Sequence, residues 1–123
     1  MNIKPITNPE DYIRYYPWIK DLNYSDMTPP LCLSRCLSGQ YKGLLGLKKD
    51  KPVGIVIYWT KGDFCFVVGL WCKNNLSGFQ NQFWDMMKNQ GIKTVRSSTT
   101  RPEEAYGRLM GMKKLWTVYE RKL

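Results

Sequence analysis

The chain has no histidine among its 123 residues. That removes the commonest general base, the imidazole partner of a serine or cysteine nucleophile, and the commonest metal ligand. Acidic residues are also scarce: 10 Asp and Glu stand against 19 Lys and Arg, a formal charge of +9. Such an excess favours anionic partners, whether a phosphorylated cofactor, nucleic acid or an acidic protein surface. The basic residues are scattered, with small clusters only at Lys48-Lys49-Lys51 and Lys113-Lys114, so a solvated positive surface accounts for them equally well. No apolar run reaches the roughly 18 residues of a membrane-spanning helix. The longest, Phe64 to Cys72, has the length of a strand. Asn2, Lys4, Pro5 and Asn8 interrupt any apolar run at the start, so no cleavable signal peptide is expected. The expected setting is cytoplasmic, with no membrane partner, and Cys32, Cys36, Cys65 and Cys72 are expected to be reduced thiols. Their spacing is not that of paired zinc knuckles, and no metal site is expected.

What the chain does have is apolar bulk. Hydrophobic residues make up 43% and aromatics 14%, enough for a packed core. No repeat, low-complexity segment or linker divides it, so residues 1–123 are expected to form one domain. Ile3 to Ile6 reads as a short strand. Asn8 is placed to cap a helix with Pro9 at its first position and Glu10 and Asp11 in its first turn. Tyr12, Tyr16, Trp18, Ile19 and Leu22 give that helix an apolar face, and Pro17 should kink or restart it. A second helix spans Leu31 to Leu37 and stops near Ser38-Gly39. Three strands follow: Tyr41 to Lys48, Val53 to Thr60 and Phe64 to Cys72, with turns at Asp50 and Lys61-Gly62-Asp63. Phe64 to Cys72 is apolar on both faces, as a central strand is. Gly78 to Lys88 reads as a helix, Ile92 to Ser97 as a strand, Glu103 to Met110 as a short helix and Lys114 to Arg121 as the last strand. The order β-α-α-β-β-β-α-β-α-β makes an α+β fold, a mixed β-sheet flanked by helices.

This order resembles that of the GNAT acyltransferases over nearly the whole chain. The pieces carrying the resemblance are the strand start at Gly91-Ile92-Lys93, the short helix ending in Gly111-Met112-Lys113, and the ending Tyr119-Glu120-Arg121-Lys122-Leu123. Lys51-Pro52-Val53-Gly54-Ile55 looks like the family's lead into its third strand. Val68-Gly69-Leu70 looks like the end of its fourth. The family's signature, R/Q-x-x-G-x-G/A, falls on Asn75-Leu76-Ser77-Gly78-Phe79-Gln80. Asn75 stands at the basic or amide position and Gln80 at the second small one. The ending from Thr99-Thr100-Arg101-Pro102 through Arg108-Leu109 to Gly111-Met112-Lys113-Lys114 is similar to small acetyltransferase-like proteins of bacteriophages.

The resemblance implies an N-acetyltransferase that passes the acetyl group of acetyl-CoA to an amine. It implies that Leu70, Cys72 and Lys73 at the strand end, with Asn75, Gly78, Phe79 and Gln80 at the helix start, hold acetyl-CoA. Small residues are needed there because main-chain N–H groups at a helix N-terminus must approach a pyrophosphate closely. A glycine at a helix start has its own local reason, so Gly78 carries both readings. The family commonly uses a tyrosine on the last helix to protonate the leaving thiolate. Its place falls at Gly107, and the adjacent Tyr106 is the candidate acid, with a packed aromatic as the other reading. Asp63, Glu103 and Glu104 read as turn and helix-start carboxylates. Tyr24 and Asp26 lie in the loop where the family shapes its acceptor site. The bacteriophage resemblance implies the alternative, a catalytically degenerate body acting as a virion component or protein-binding part.

Tyr12, Tyr15, Tyr16 and Trp18 crowd the first helix, interleaved with Arg14 and Lys20. Core packing, a protein interface and a nucleic-acid surface all use such residues. Not all of these aromatics fit one core face, and Tyr15 is expected to be partly exposed.

Overall fold

The computed structural model describes residues 2–22, 28–73, 76–98, 113–115 and 118–123. The elements run β1 (Asn2–Ile6), α1 (Pro9–Arg14), α2 (Tyr16–Ile19), α3 (Pro29–Leu37), β2 (Lys42–Lys48), β3 (Lys51–Lys61) and β4 (Phe64–Cys72). There follow α4 (Leu76–Asn89), β5 (Thr94–Ser98), β6 (Lys113–Leu115) and β7 (Val118–Lys122). All strands join one seven-stranded sheet in the order β1-β2-β3-β4-β5-β7-β6. Only β4 and β5 run parallel; the other pairs are antiparallel. The mixed sheet with flanking helices is the α+β arrangement expected.

Local chemistry sets the element ends. The Asn8 side chain accepts a 2.9 Å hydrogen bond from the Asp11 N–H, and Pro9 opens α1. The chain leaves helical geometry at Tyr15 (φ −96°, ψ 8°) and restarts as α2 with Pro17 in its first turn. Lys49 and Asp50, both at positive φ (52° and 62°), form the two-residue link between β2 and β3. That turn geometry matches strand twist. At the end of α4, Gly91 (φ 83°) lets the Ile92 N–H reach the Met87 carbonyl at 3.0 Å, closing the helix with a left-handed cap.

Two cores lie on the two faces of the sheet. On one, Phe79, Phe83, Trp84 and Met87 of α4 pack on Leu44, Val56, Tyr58, Cys65, Val67 and Val95. On the other, Tyr12, Tyr15, Ile19, Cys32 and Cys36 pack on Leu45, Ile55, Ile57 and Val68. Tyr15 is therefore buried, 7% exposed, and not partly exposed as its sequence position suggested. Helical periodicity carried across the break explains it. Tyr12, Tyr15, Ile19 and Leu22 are all buried at helical spacing, while Tyr16 is only half-buried.

Two boundaries also differ from expectation. The last strand is not one element from Lys114 to Arg121 but two, β6 and β7, paired antiparallel through Leu115↔Val118. Helix α4 starts at Leu76, two residues before Gly78. The helix expected at Glu103 to Met110 lies outside the described residues, as do Tyr24 and Asp26. No helix among the described residues is long and apolar enough to cross a membrane.

The cysteines give a direct test. Cys32, Cys36 and Cys65 are buried free thiols and Cys72 is half-exposed. Burial pushes the Cys65 thiol up to about 12. A hydrogen bond to Cys32, and then burial, hold the Cys36 thiol far above its ordinary range. A thiol reagent at pH 8 should therefore modify Cys72 first, with the other three reacting only on unfolding. The sign of the pH effect follows. As pH rises past about 8.5 the unfolded chain releases these protons first, so stability falls with rising pH. Denaturant melts at pH 7 and pH 9.5 should show the lower midpoint at pH 9.5; an unchanged midpoint would contradict the burial of these thiols.

Candidate functional site

The site is built at the end of the described β4–β5 ladder. The parallel ladder runs Phe64↔Thr94, Cys65↔Val95, Phe66↔Arg96 and Val67↔Ser97, and then stops. From Val68 to Cys72 no neighbouring strand lies on that side of β4 among the described residues. A strand edge presents main-chain donors and acceptors to whatever lies beside it.

A β-bulge marks the same point. On β3, Ile57 pairs with Gly69 and Tyr58 with Val67, so Val68 is an extra residue on β4. One inserted residue reverses which face each later side chain occupies. Before it, Cys65 and Val67 face the α4 core; after it, Leu70 and Cys72 do, while Trp71 packs on the other side. Strict alternation from Val67 would have put Trp71 against α4. The bulge thus keeps a mid-sized apolar wall, Leu70 and Cys72, on the face where α4 begins.

Helix α4 is held against the sheet at its first turn. Phe79 is 1% exposed, and a Cβ added to Gly54 would lie 2.7–2.9 Å from the Phe79 ring atoms Cγ, Cδ2 and Cδ1. Gly54 on β3 sits opposite Cys72, so the ring closes directly on the strand beside the end of β4. Gly78, half-buried, falls within the first turn of α4, where the helix dipole favours an anion. Gln80 is buried at 7% exposure, and its Oε1 has no hydrogen-bond partner among the described residues. An orphaned buried acceptor costs about 1–3 kcal/mol, which a ligand N–H would recover.

The structure thus brings together Leu70, Cys72, Gly78, Phe79 and Gln80 at the junction of β4 and α4. Lys73 is exposed just beyond β4, where its N–H donates to the Val53 carbonyl at 2.8 Å. It lines a pocket with Arg14, Tyr15, Trp18, Asp50, Lys51, Pro52 and Trp71. Asn75 and Tyr106 lie outside the described residues, with Glu103 and Glu104. Asp63 sits in the β3–β4 turn, its carbonyl accepting from the Lys93 and Thr94 N–H groups, and belongs to turn architecture. Sequence reasoning missed the bulge at Val68 and the Gly54–Phe79 contact. The adjacent apolar pair Val67-Val68 before Gly69 was the only signal for the first; nothing in the spacing indicated the second.

No protein-family model and no curated protein sequence matches the chain. Solved structures do match it. GCN5 of Tetrahymena is 15% identical with a TM-score of 0.75, over 99% of this chain and 96% of the other. The ribosomal-protein-S18-alanine N-acetyltransferase of Escherichia coli is 10% identical with a TM-score of 0.77, over 98% and 92%. The PaiA N-acetyltransferase of Thermoplasma acidophilum, solved with coenzyme A, is 13% identical with a TM-score of 0.66, over 100% of both. A β4–β5 ladder described as far as Val67↔Ser97, a bulged β4 and a helix starting at its end thus sit in a chain with the fold of the GNAT acetyltransferases.

Proposed function

We propose that the chain is an acetyl-CoA-dependent N-acetyltransferase. The observation that carries this reading is the end of the β4–β5 ladder at Val67↔Ser97 beside the first turn of α4. An extended thioester arm fits along β4 beyond Val67, with its pyrophosphate at the helix start. In this reading Leu70 and Cys72 wall the arm. The main chain around Gly78, with Asn75 and Lys73, meets the pyrophosphate. Phe79 fixes the helix, and Gln80 accepts from an amide N–H of the arm.

The chemistry is direct transfer. The neutral amine attacks the thioester carbonyl carbon, forming a C–N bond and a tetrahedral oxyanion. Main-chain N–H groups of β4 beyond Val67 are suited to stabilise it. Collapse breaks the C–S bond. The thiolate leaves with a proton from an acid, and the amine's proton passes to solvent. No histidine is available for either proton. Tyr106, carried over from the family's tyrosine on the last helix, is the proposed acid.

The test is release of coenzyme A thiol with a panel of primary amines. Loss of a general acid typically lowers turnover about 10²–10⁴-fold. Tyr106→Phe should do so with acetyl-CoA affinity unchanged. Equal turnover in wild type and Tyr106→Phe would remove Tyr106 from the mechanism. Acetyl-CoA binding with no amine acetylated would leave the non-catalytic alternative.

A further inference from the structure

On the sheet face opposite α4 lies a pocket of about 670 Å³. It is walled by Tyr15 and Trp18 from the α1–α2 break, Trp71 from the end of β4 and Pro52 from β3. Its size falls among small-molecule sites, about 300–1,000 Å³. Tyr15 and Trp18 meet at 6.0 Å and 55°, and the Arg14 guanidinium lies 5.7 Å above the Tyr15 ring. Trp18 and Trp71 are half-buried, so part of each indole faces the opening. Exposed Arg14, Lys51 and Lys73 ring it with three positive charges against one carboxylate, Asp50, among the described residues.

We propose that this pocket binds a nucleotide unit, a flat base carrying a phosphate. Indole and phenol rings offer the faces on which any base stacks, and the three cations sit where a phosphate attached to it would emerge. Asp50 accepts hydrogen bonds only, which suits a base with an amino group. The bulge at Val68 is what makes the site, because it turns Trp71 to this face. The site lies across the sheet from Gly78 and uses none of Leu70, Cys72 or Gln80; of the residues assigned to acetyl-CoA it shares only Lys73, at the strand end.

The chemistry is the same for a free nucleotide and for one unit of a single strand, so calorimetry is done with both AMP and a short oligodeoxyadenylate. AMP is expected to bind, and adenosine and inorganic phosphate each to bind at least about tenfold more weakly, because stacking and charge act together. A gain of more than about a hundredfold for the oligonucleotide over AMP identifies a strand as the source, and a smaller gain a free nucleotide. Lys51→Glu, an exposed change, should weaken AMP at least about tenfold by reversing one rim charge, and Trp71→Leu should weaken it comparably by removing a stacking face. No heat with millimolar AMP, or AMP binding indifferent to both variants, would each overturn the proposal.

Discussion

Replacing Phe79 by alanine is expected to remove about 3–5 kcal/mol of stability, the range for deleting a buried aromatic ring. The ring is fully buried between α4 and the sheet. Gly54→Ala should cost about 1–3 kcal/mol by the opposite route, overpacking. Its new Cβ would meet Phe79 Cγ at 2.7 Å, the root of the ring and not a flexible tip. The two effects share one contact and cannot add. In the Phe79→Ala background the methyl introduced at position 54 enters the vacated space, so Gly54→Ala should be nearly neutral. A double-mutant cycle by urea melts should give a coupling of about 1–3 kcal/mol. Simple additivity would show that the ring does not rest on Gly54.

The second large effect concerns binding. Gly78→Asp puts a carboxylate in the first turn of α4, where the reading places the pyrophosphate. Two like charges about 4 Å apart near a protein surface repel by roughly 4 kcal/mol, a loss of several hundredfold in affinity. Gly78→Ala adds one methyl and no charge, and should weaken acetyl-CoA far less. Stability should change little in the aspartate variant, because a helix N-terminus favours an acidic side chain. Unchanged acetyl-CoA affinity in Gly78→Asp would take the helix start out of the site.

Much of this fold was legible because local signals agreed with the tertiary result. Asn8-Pro9 announced α1, Gly91 announced the end of α4, and the doubly apolar Phe64 to Cys72 announced the central strand. The failures have physical causes. Leu115 to Val118 contains no glycine, proline or asparagine, so the reversal between β6 and β7 left no turn signal and read as one strand. Tyr15 was misplaced because Tyr12, Tyr15, Tyr16 and Trp18 looked too many for one core face. The break falls at Tyr15, yet Tyr12, Tyr15, Ile19 and Leu22 still share one buried face at helical spacing. The bulge at Val68 was hidden by the strand's apolar character: with both faces buried there is no alternation to slip. The site was legible only as a resemblance around Gly78. The Gly54–Phe79 contact joins residues 25 apart in sequence and depends on the register of three strands, which no local pattern specifies.

Calorimetric titration of the wild-type chain with acetyl-CoA tests binding at the junction of β4 and α4. The account predicts one molecule bound per chain with a Kd in the micromolar to sub-millimolar range usual for such substrates. It also predicts a stability gain of about 2.7 kcal/mol at a hundredfold excess over Kd. Neither heat nor a rise in melting temperature at millimolar acetyl-CoA would contradict it.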